Sequence, residues 1–331
     1  MQNNILLIRL KSIGDVVLTL PAVHSVRENF PAAKITYLTS RENVDLLRGF
    51  REVDETIVLD RERLRSGNPL KTAREFLGLL RGLRTGKFSL VLDFQGYGET
   101  AWLARLTGAA RRGSSFYHPR RQWAYTVDPA GDKALHSAEA HLDLLRRANL
   151  CVGKIRNEFQ LPADALAAAG ALFLTHGLDP AKRTLFLQPL TSGAHKNWPL
   201  ENYLAAARYW RERGVQIIFG GGPADRTILQ SAAAEQFYVA AGVPLLVTGG
   251  LAQLSTLVLG GDTGVLHLAV AQGKRVVMLM HQAAPGSPIP FQHPEWVIEA
   301  PEPEAIAKIR VDQVNEAIAS VFNSPTGNVS G

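Results

Sequence analysis

Short apolar runs alternate with longer stretches whose apolar positions recur at helical spacing. The first run, residues 5–10, is closed by Lys11, Ser12, Ile13, Gly14 and Asp15, and Val16, Val17, Leu20, Val23 and Val26 then follow at helical intervals. That pattern predicts a strand followed by a helix. Further β-rich runs at 35–38, 55–59 and 90–93 have helical stretches between them. Such alternation predicts an α/β fold with a doubly wound parallel sheet, whose ligands collect beyond the carboxyl ends of the strands. Gly14-Asp15 and Asp93-Phe94-Gln95-Gly96 fall at such ends and are expected to face a cleft.

Alanine-rich helical sequence at 164–176 leads into Gly177-Leu178-Asp179-Pro180, a break after which the alternation restarts at Thr184. The second series reads as a helix at 201–213, a strand at 215–219, the turn Gly220-Gly221-Gly222-Pro223, a helix from Ala224, strand-like 245–247, a helix at 264–272 and a strand at 276–280. The expected division is a first domain over 1–170 and a second over 180–311, with the boundary near 165–182 and a cleft between them. An amphipathic helix at 312–322 is expected to pack back on the first domain, and 323–331 to form a flexible tail.

Length agrees with two domains, since 331 residues exceed one domain of roughly 100–200. A single cysteine, Cys151, excludes an internal disulfide and a four-cysteine zinc site. The first residues lack a basic leader, and no apolar run approaches the ~20 residues that span a bilayer. The expectation is a cytoplasmic protein, at most peripheral on the cytoplasmic face of the inner membrane. Charge is uneven: residues 1–150 hold 23 Lys and Arg against 16 Asp and Glu, and the remainder 13 against 14. Arg61, Arg63, Arg65, Lys71, Arg74, Arg81, Arg84 and Lys87 crowd one segment, which suits an anionic partner.

Several phosphate-binding signatures are absent. Every Gly-Lys pair is followed by Phe, Ile or Arg, which rules out a Walker A loop, and the Gly220 turn lacks dinucleotide spacing. Gly261-Asp262-Thr263-Gly264-Val265-Leu266-His267 is more informative, because a helix start offers free N–H groups and a positive dipole end to a diphosphate. The same residues also read as a simple cap with a packed histidine. In the loop 188–199, Thr191, Ser192 and Lys196 present hydroxyls and a cation to phosphate oxygens, or are merely solvated. Asp15 reads either as a helix-capping carboxylate or as a general base for an incoming hydroxyl.

Taken in order, Ser12-Ile13-Gly14-Asp15-Val16 with Thr19-Leu20-Pro21-Ala22, Asp93-x-Gln95-Gly96, His136-x-x-Glu139, Lys196-Asn197-Trp198-Pro199 and Asp262-Thr263-Gly264-x-x-His267-x-Ala269 form a specific set. With it the chain resembles the ADP-heptose:lipopolysaccharide heptosyltransferases, glycosyltransferase family 9. The resemblance implies a GT-B fold of two Rossmann-like domains, the first binding the acceptor and the second the nucleotide-sugar. It also implies inverting, metal-independent transfer of heptose from ADP-heptose to the Kdo/heptose-lipid A inner core, with no cofactor. Asp15 would then be the base. Thr191, Ser192, Lys196, Asp262, Thr263 and Gly264 would hold the donor diphosphate, Asp225 would lie near the ribose, and Gly14 and His267 would support the site. The basic segment makes Arg61, Arg63 and Arg65, with Gln95, the candidates for the anionic acceptor.

Two departures bear on the donor pocket. Only residues 251–261 stand where the family has a full helix and strand before Asp-Thr-Gly, and His281-Gln282-Ala283-Ala284-Pro285-Gly286-Ser287 replaces a Gly-Pro-Thr-Asp-Pro-like segment. Two other readings stand beside transfer. One is a nucleotide-sugar epimerase or hydrolase of the same fold. The other is a non-catalytic binder of anionic glycolipid or nucleic acid, suggested by aromatic and basic residues interleaving between Trp102 and Tyr125. The transferase reading is preferred, with no nucleic acid as partner.

Overall fold

The computed structural model describes residues 4–60, 69–116, 118–127, 131–132, 134–303 and 305–323. The chain divides into two compact units, Met1–Gln160 and Leu161–Gly331. The division precedes the expected 165–182 break, so the alanine-rich helix belongs wholly to the second unit.

The first unit runs β1 (Asn4–Ile8), α1 (Ile13–Val17), α2 (Leu20–Asn29), β2 (Lys34–Ser40), β3 (Glu55–Leu59), α3 (Pro69–Thr85), β4 (Leu90–Asp93), α4 (Gly98–Leu106), β5 (Arg111–Ser114) and α5 (Ser137–Arg147). Its sheet is parallel throughout, in the order β3-β2-β1-β4-β5. The stretch expected as one helix after Asp15 is two, because Pro21 in the first turn of α2 has no N–H with which to continue the ladder from α1. Leu79 and Leu83 of α3 and Ala101, Leu103 and Ala104 of α4 pack over Leu6, Ile8, Leu38 and Val91, which places α3 and α4 on one face of the sheet.

The second unit runs α6 (Ala163–Thr175), β6 (Thr184–Gln188), α7 (Leu200–Arg211), β7 (Gln216–Gly221), α8 (Gln230–Ala234), β8 (Tyr238–Ala241), α9 (Leu245–Leu254), β9 (Leu257–Gly261), α10 (Gly264–Ala271), β10 (Val276–Met280), β11 (Val297–Glu299) and α11 (Val311–Asn323). Its six parallel strands are ordered β11-β10-β9-β6-β7-β8, the Rossmann arrangement with the order reversing between β6 and β9. Both faces of the sheet are covered by apolar clusters, as an all-parallel sheet requires.

Two expectations are corrected here. Residues 245–247 are not a strand but the first turn of α9, and α9 with β9 supplies the full helix and strand that had looked truncated before Asp262. The apolar face of α11, expected on the first domain, is buried in the second: Val314, Ile318 and Phe322 join its core, and Phe322 meets Trp210 edge-on at 5.1 Å. Among the described residues, no helix is long and apolar enough to cross a membrane.

Candidate active site

In a doubly wound sheet the crevice opens where the strand order reverses, beyond the strand carboxyl ends. In the first unit that point lies between β1 and β4, and the chain leaves β1 through Arg9, Leu10 and Lys11 to reach Asp15 in the first turn of α1. Three donors converge on Asp15 Oδ2: the Ser12 N–H at 3.0 Å, the Ser12 hydroxyl at 3.1 Å and Arg9 Nη2 at 2.7 Å. Among the described residues Oδ1 has no partner, and the side chain is 34% exposed. Asp15 is therefore both a cap, as the local reading held, and a carboxylate with one oxygen open to a ligand.

Arg9 is a site residue that the sequence reading did not assign. It is almost fully buried, donates through Nε to the Lys11 carbonyl at 2.9 Å, and lies over the Phe116 ring. The available signal was a lone cation closing an otherwise apolar strand run. Gln95, expected at the acceptor, is buried, and its Oε1 accepts from the Leu10 N–H at 2.8 Å and the Lys11 N–H at 3.3 Å. It straps the Asp15 loop to the end of β4, and the donor it has left is Nε2, which is buried without a partner among the described residues. The neighbouring turn is held by Asp93, whose Oδ1 accepts from the Gln95 and Gly96 N–H groups at 2.9 Å and whose Oδ2 accepts from the Tyr125 hydroxyl at 2.7 Å. Burial pushes the Asp93 carboxyl up against these bonds. Gly96 has φ +67° and sits against the Phe116 carbonyl, where a Cβ would find no room. Gly14 is buried within α1, and Arg61, Arg63 and Arg65 lie outside the described residues.

In the second unit the reversal point lies between β6 and β9, and it gathers the motifs of the two loops that leave those strands. Lys196 Nζ donates to Asp262 Oδ2 at 3.0 Å, and His267 Nε2 pairs with Asp262 Oδ1 at 3.2 Å. Burial alone would push the Asp262 carboxyl up, but the His267 contact and the Lys196 charge prevail and hold it below the usual carboxylate range. Thr263 caps α10, accepting from the Leu266 N–H at 3.4 Å, which leaves the first-turn N–H groups of Gly264 and Val265 without intrahelical partners. His267 is buried, and its Nε2 braces Asp262.

The loop after β6 explains its own sequence. Trp198 is buried and donates to the Ile309 carbonyl at 2.8 Å, which anchors the loop in the core. Asn197 Oδ1 accepts from the Thr191 N–H at 2.8 Å and closes the loop into a ring. Lys196 projects from it toward Asp262. The Thr191 hydroxyl donates to the Gly193 carbonyl at 2.9 Å, so it shapes the loop, whereas Ser192 is exposed. Gly261 is what lets the two loops meet: a Cβ there would lie 2.7 Å from the Thr191 methyl and 3.4 Å from the Lys196 carbonyl.

Asp225 stands apart from this cluster in its bonding, its Oδ2 accepting from the Gly222 N–H at 2.7 Å in the turn after β7. A pocket of about 170 Å³ is lined by Lys196, Asp262, Met280, His281, Gln282 and Ser287 among others. His281, noted in the sequence only as a departure, has both ring nitrogens buried and unpartnered among the described residues. No cluster of three or more His, Cys, Asp or Glu arranged for a metal occurs among the described residues.

The arrangement has counterparts. The chain is similar to the lipopolysaccharide core heptosyltransferase OpsX of Haemophilus influenzae, with 23% identity over 315 residues, 90% of this chain and 85% of that one. A glycosyltransferase family 9 structure from Veillonella parvula superposes with a TM-score of 0.84 at 21% identity, covering 97% of each chain. The E. coli heptosyltransferase WaaC with ADP gives a TM-score of 0.79 at 20% identity, covering 96% of this chain and 99% of that one, and these likenesses establish the GT-B fold. The model of glycosyltransferase family 9 (heptosyltransferase) matches residues 76–317, well over half of the sequence, and the chain belongs to that family.

Proposed function

We propose that the chain is an inverting, metal-independent heptosyltransferase that moves heptose from ADP-heptose to an anionic Kdo/heptose-lipid A acceptor of the lipopolysaccharide inner core. The observation that carries this reading is the junction of Lys196, Asp262, His267 and the open first turn of α10 at the reversal point of the second sheet. A lysine ammonium has three donors, and with one on Asp262 two remain for phosphate oxygens. The free N–H groups of Gly264 and Val265 add the positive end of α10.

In the reaction, the acceptor hydroxyl loses its proton to the open oxygen of Asp15 and its oxygen bonds to the anomeric carbon. The carbon–oxygen bond to the diphosphate breaks, and its electron pair leaves with ADP. Lys196, Ser192 and the α10 amides take up that charge, the kind of preorganised electrostatic stabilisation that dominates many such steps. Asp225 faces the ribose side in this reading, and Arg61, Arg63 and Arg65 bind acidic groups of the acceptor. The acceptor being lipid-linked, the enzyme works at the cytoplasmic face of a membrane.

Thermal unfolding with ADP-, UDP-, GDP- and dTDP-sugars tests the donor. At ~100 times its Kd the true nucleotide raises stability by about 2.7 kcal/mol, and Lys196→Ala should lose most of that gain while adenosine binds as before. Donor turnover should require acceptor and survive EDTA. Release of ADP without acceptor would favour a hydrolase or epimerase, and loss of turnover in EDTA with recovery in Mg²⁺ would overturn the metal-free step.

A further inference from the structure

We propose that the outer surface of the α3–α4 layer of the first unit docks on a lipid bilayer carrying anionic headgroups. Five of the eight large hydrophobic side chains exposed among the described residues lie in this layer, and four of them are Phe76 at 46%, Leu77 at 61%, Trp102 at 59% and Trp123 at 45%. On α3, Arg74, Leu77, Arg81 and Arg84 fall on one exposed stripe, while Leu79 and Leu83 on the other side enter the core. On α4, Trp102 and Arg105 are one turn apart and exposed, while Ala101 and Ala104 beside them are buried. Trp123, from the 3-10 turn Pro119–Ala124 beside α4, meets Trp102 at 4.4 Å between ring centroids. The fifth residue, Tyr97, follows Gln95 and Gly96, and Arg121 donates to the Gly96 carbonyl, so the layer continues to the turn that positions the Asp15 loop.

Charge selects the occupant. Residues 69–124 hold ten Lys and Arg against three Asp and Glu, and with the buried Arg112 and Asp93 set aside nine stand against two. A basic surface carrying Trp, Phe and Leu is the composition that settles at a headgroup boundary, cations on phosphates and apolar tips among the first methylenes. Nucleic acid is the poorer match, because base stacking needs open ring faces. The two indoles cover part of each other, and Leu77 has no ring to stack.

This inference deepens the lipid-linked acceptor of the proposed reaction. Its test uses neither donor nor acceptor, so failure here leaves the transfer reading standing. The full-length protein is sedimented at physiological ionic strength with phosphatidylethanolamine vesicles containing one-quarter phosphatidylglycerol, and with phosphatidylcholine vesicles. Wild type should partition to the anionic vesicles with a blue shift of tryptophan emission. Trp102→Ser with Trp123→Ser should lower partition roughly tenfold or more, and Arg81→Gln with Arg84→Gln about ten- to thirtyfold. Should the double tryptophan variant fail to fold, Leu77→Ser carries the apolar arm. Tyr209→Ser, an exposed aromatic of the second unit, should bind as wild type. Absence of wild-type partition would overturn the proposal, as would variants that bind like wild type. So would indifference to vesicles combined with steeply salt-dependent binding of polyuridylic acid through the same residues.

Discussion

Asp15 shows how one carboxylate can cap a helix and still present an oxygen for the proposed proton transfer. Its two oxygens are differently placed: Ser12 and Arg9 take Oδ2, and Oδ1 is left open. The residue that decides this is Arg9, whose planar fork spans the Lys11 carbonyl and the Asp15 carboxylate at once. A lysine keeps the charge but cannot hold both in that geometry. Arg9→Lys should therefore lower kcat by about 10², the loss expected when a reacting group is misplaced by an ångström, without changing the Kd for ADP. Asp15→Asn should cost ~10² to 10⁴ in kcat, as removal of a general base does. Steady-state kinetics beside ADP titration checks both. An Arg9→Lys enzyme with wild-type kcat would show that the Asp15 oxygen is placed by Ser12 alone.

Elements, rather than single residues, bring the proposed donor site together, and Gly261 at the end of β9 is where they touch. A methyl added there would lie 2.7 Å from the Thr191 methyl, so the loop carrying Lys196 must move away from Asp262. Gly261→Ala should weaken ADP binding roughly tenfold and cost about 1–3 kcal/mol of stability, the range for overpacking a tight contact. Thr191→Ser removes that methyl and keeps the hydroxyl, so the double variant should recover much of both losses in calorimetry and thermal unfolding. Equal ADP affinity in wild type and Gly261→Ala would dissociate this contact from the donor site.

The same elements show what the sequence could and could not reveal. Three of the four strands that flank the reversal points, β1, β4 and β6, were legible because they are apolar runs, and α10 because its cap and period agree. Missing from the reading were β9, hidden because the strand had been placed at 245–247, β5, whose Arg111-Arg112-Gly113-Ser114 has no apolar pattern and is a strand through its pairing with β4, and β8 and β11, short and only partly buried. Leu245-Leu246-Val247 looked like a strand because β-compatible residues follow a proline. Pro244 in fact precedes the first turn of α9, and Thr248 donates its N–H back to the Pro244 carbonyl. Of the site, the chemistry-bearing types were visible in the motifs. The Gln95 to Leu10 tie depends on β1 and β4 lying side by side, which local spacing does not carry, and the Arg9 to Asp15 pair depends on the path of the loop between β1 and α1.

At the scale of the whole molecule, two units with the same winding differ in charge. Residues 1–150 carry 23 Lys and Arg against 16 Asp and Glu, whereas the remainder is nearly balanced at 13 against 14. The proposed donor diphosphate would need only local compensation, from Lys196 and the start of α10. A surplus spread over the first unit suits a partner with several separated anions, such as an acceptor bearing carboxylates and phosphates. Arg61, Arg63 and Arg65, outside the described residues, are the densest part of that surplus, and guanidinium forks match both anion types in two-point contact. Replacing all three by Gln should raise the acceptor KM about tenfold or more and flatten its dependence on salt, because a long-range attraction screened within roughly 8–10 Å is lost. The Kd for ADP should not change, since its proposed ligands all belong to the second unit. Initial rates at varied acceptor and ionic strength measure the first effect, and calorimetry with ADP the second. An unchanged acceptor KM would transfer acceptor recognition to the Arg111 to Arg121 stretch, while a weakened ADP complex would show that this segment serves the donor as well.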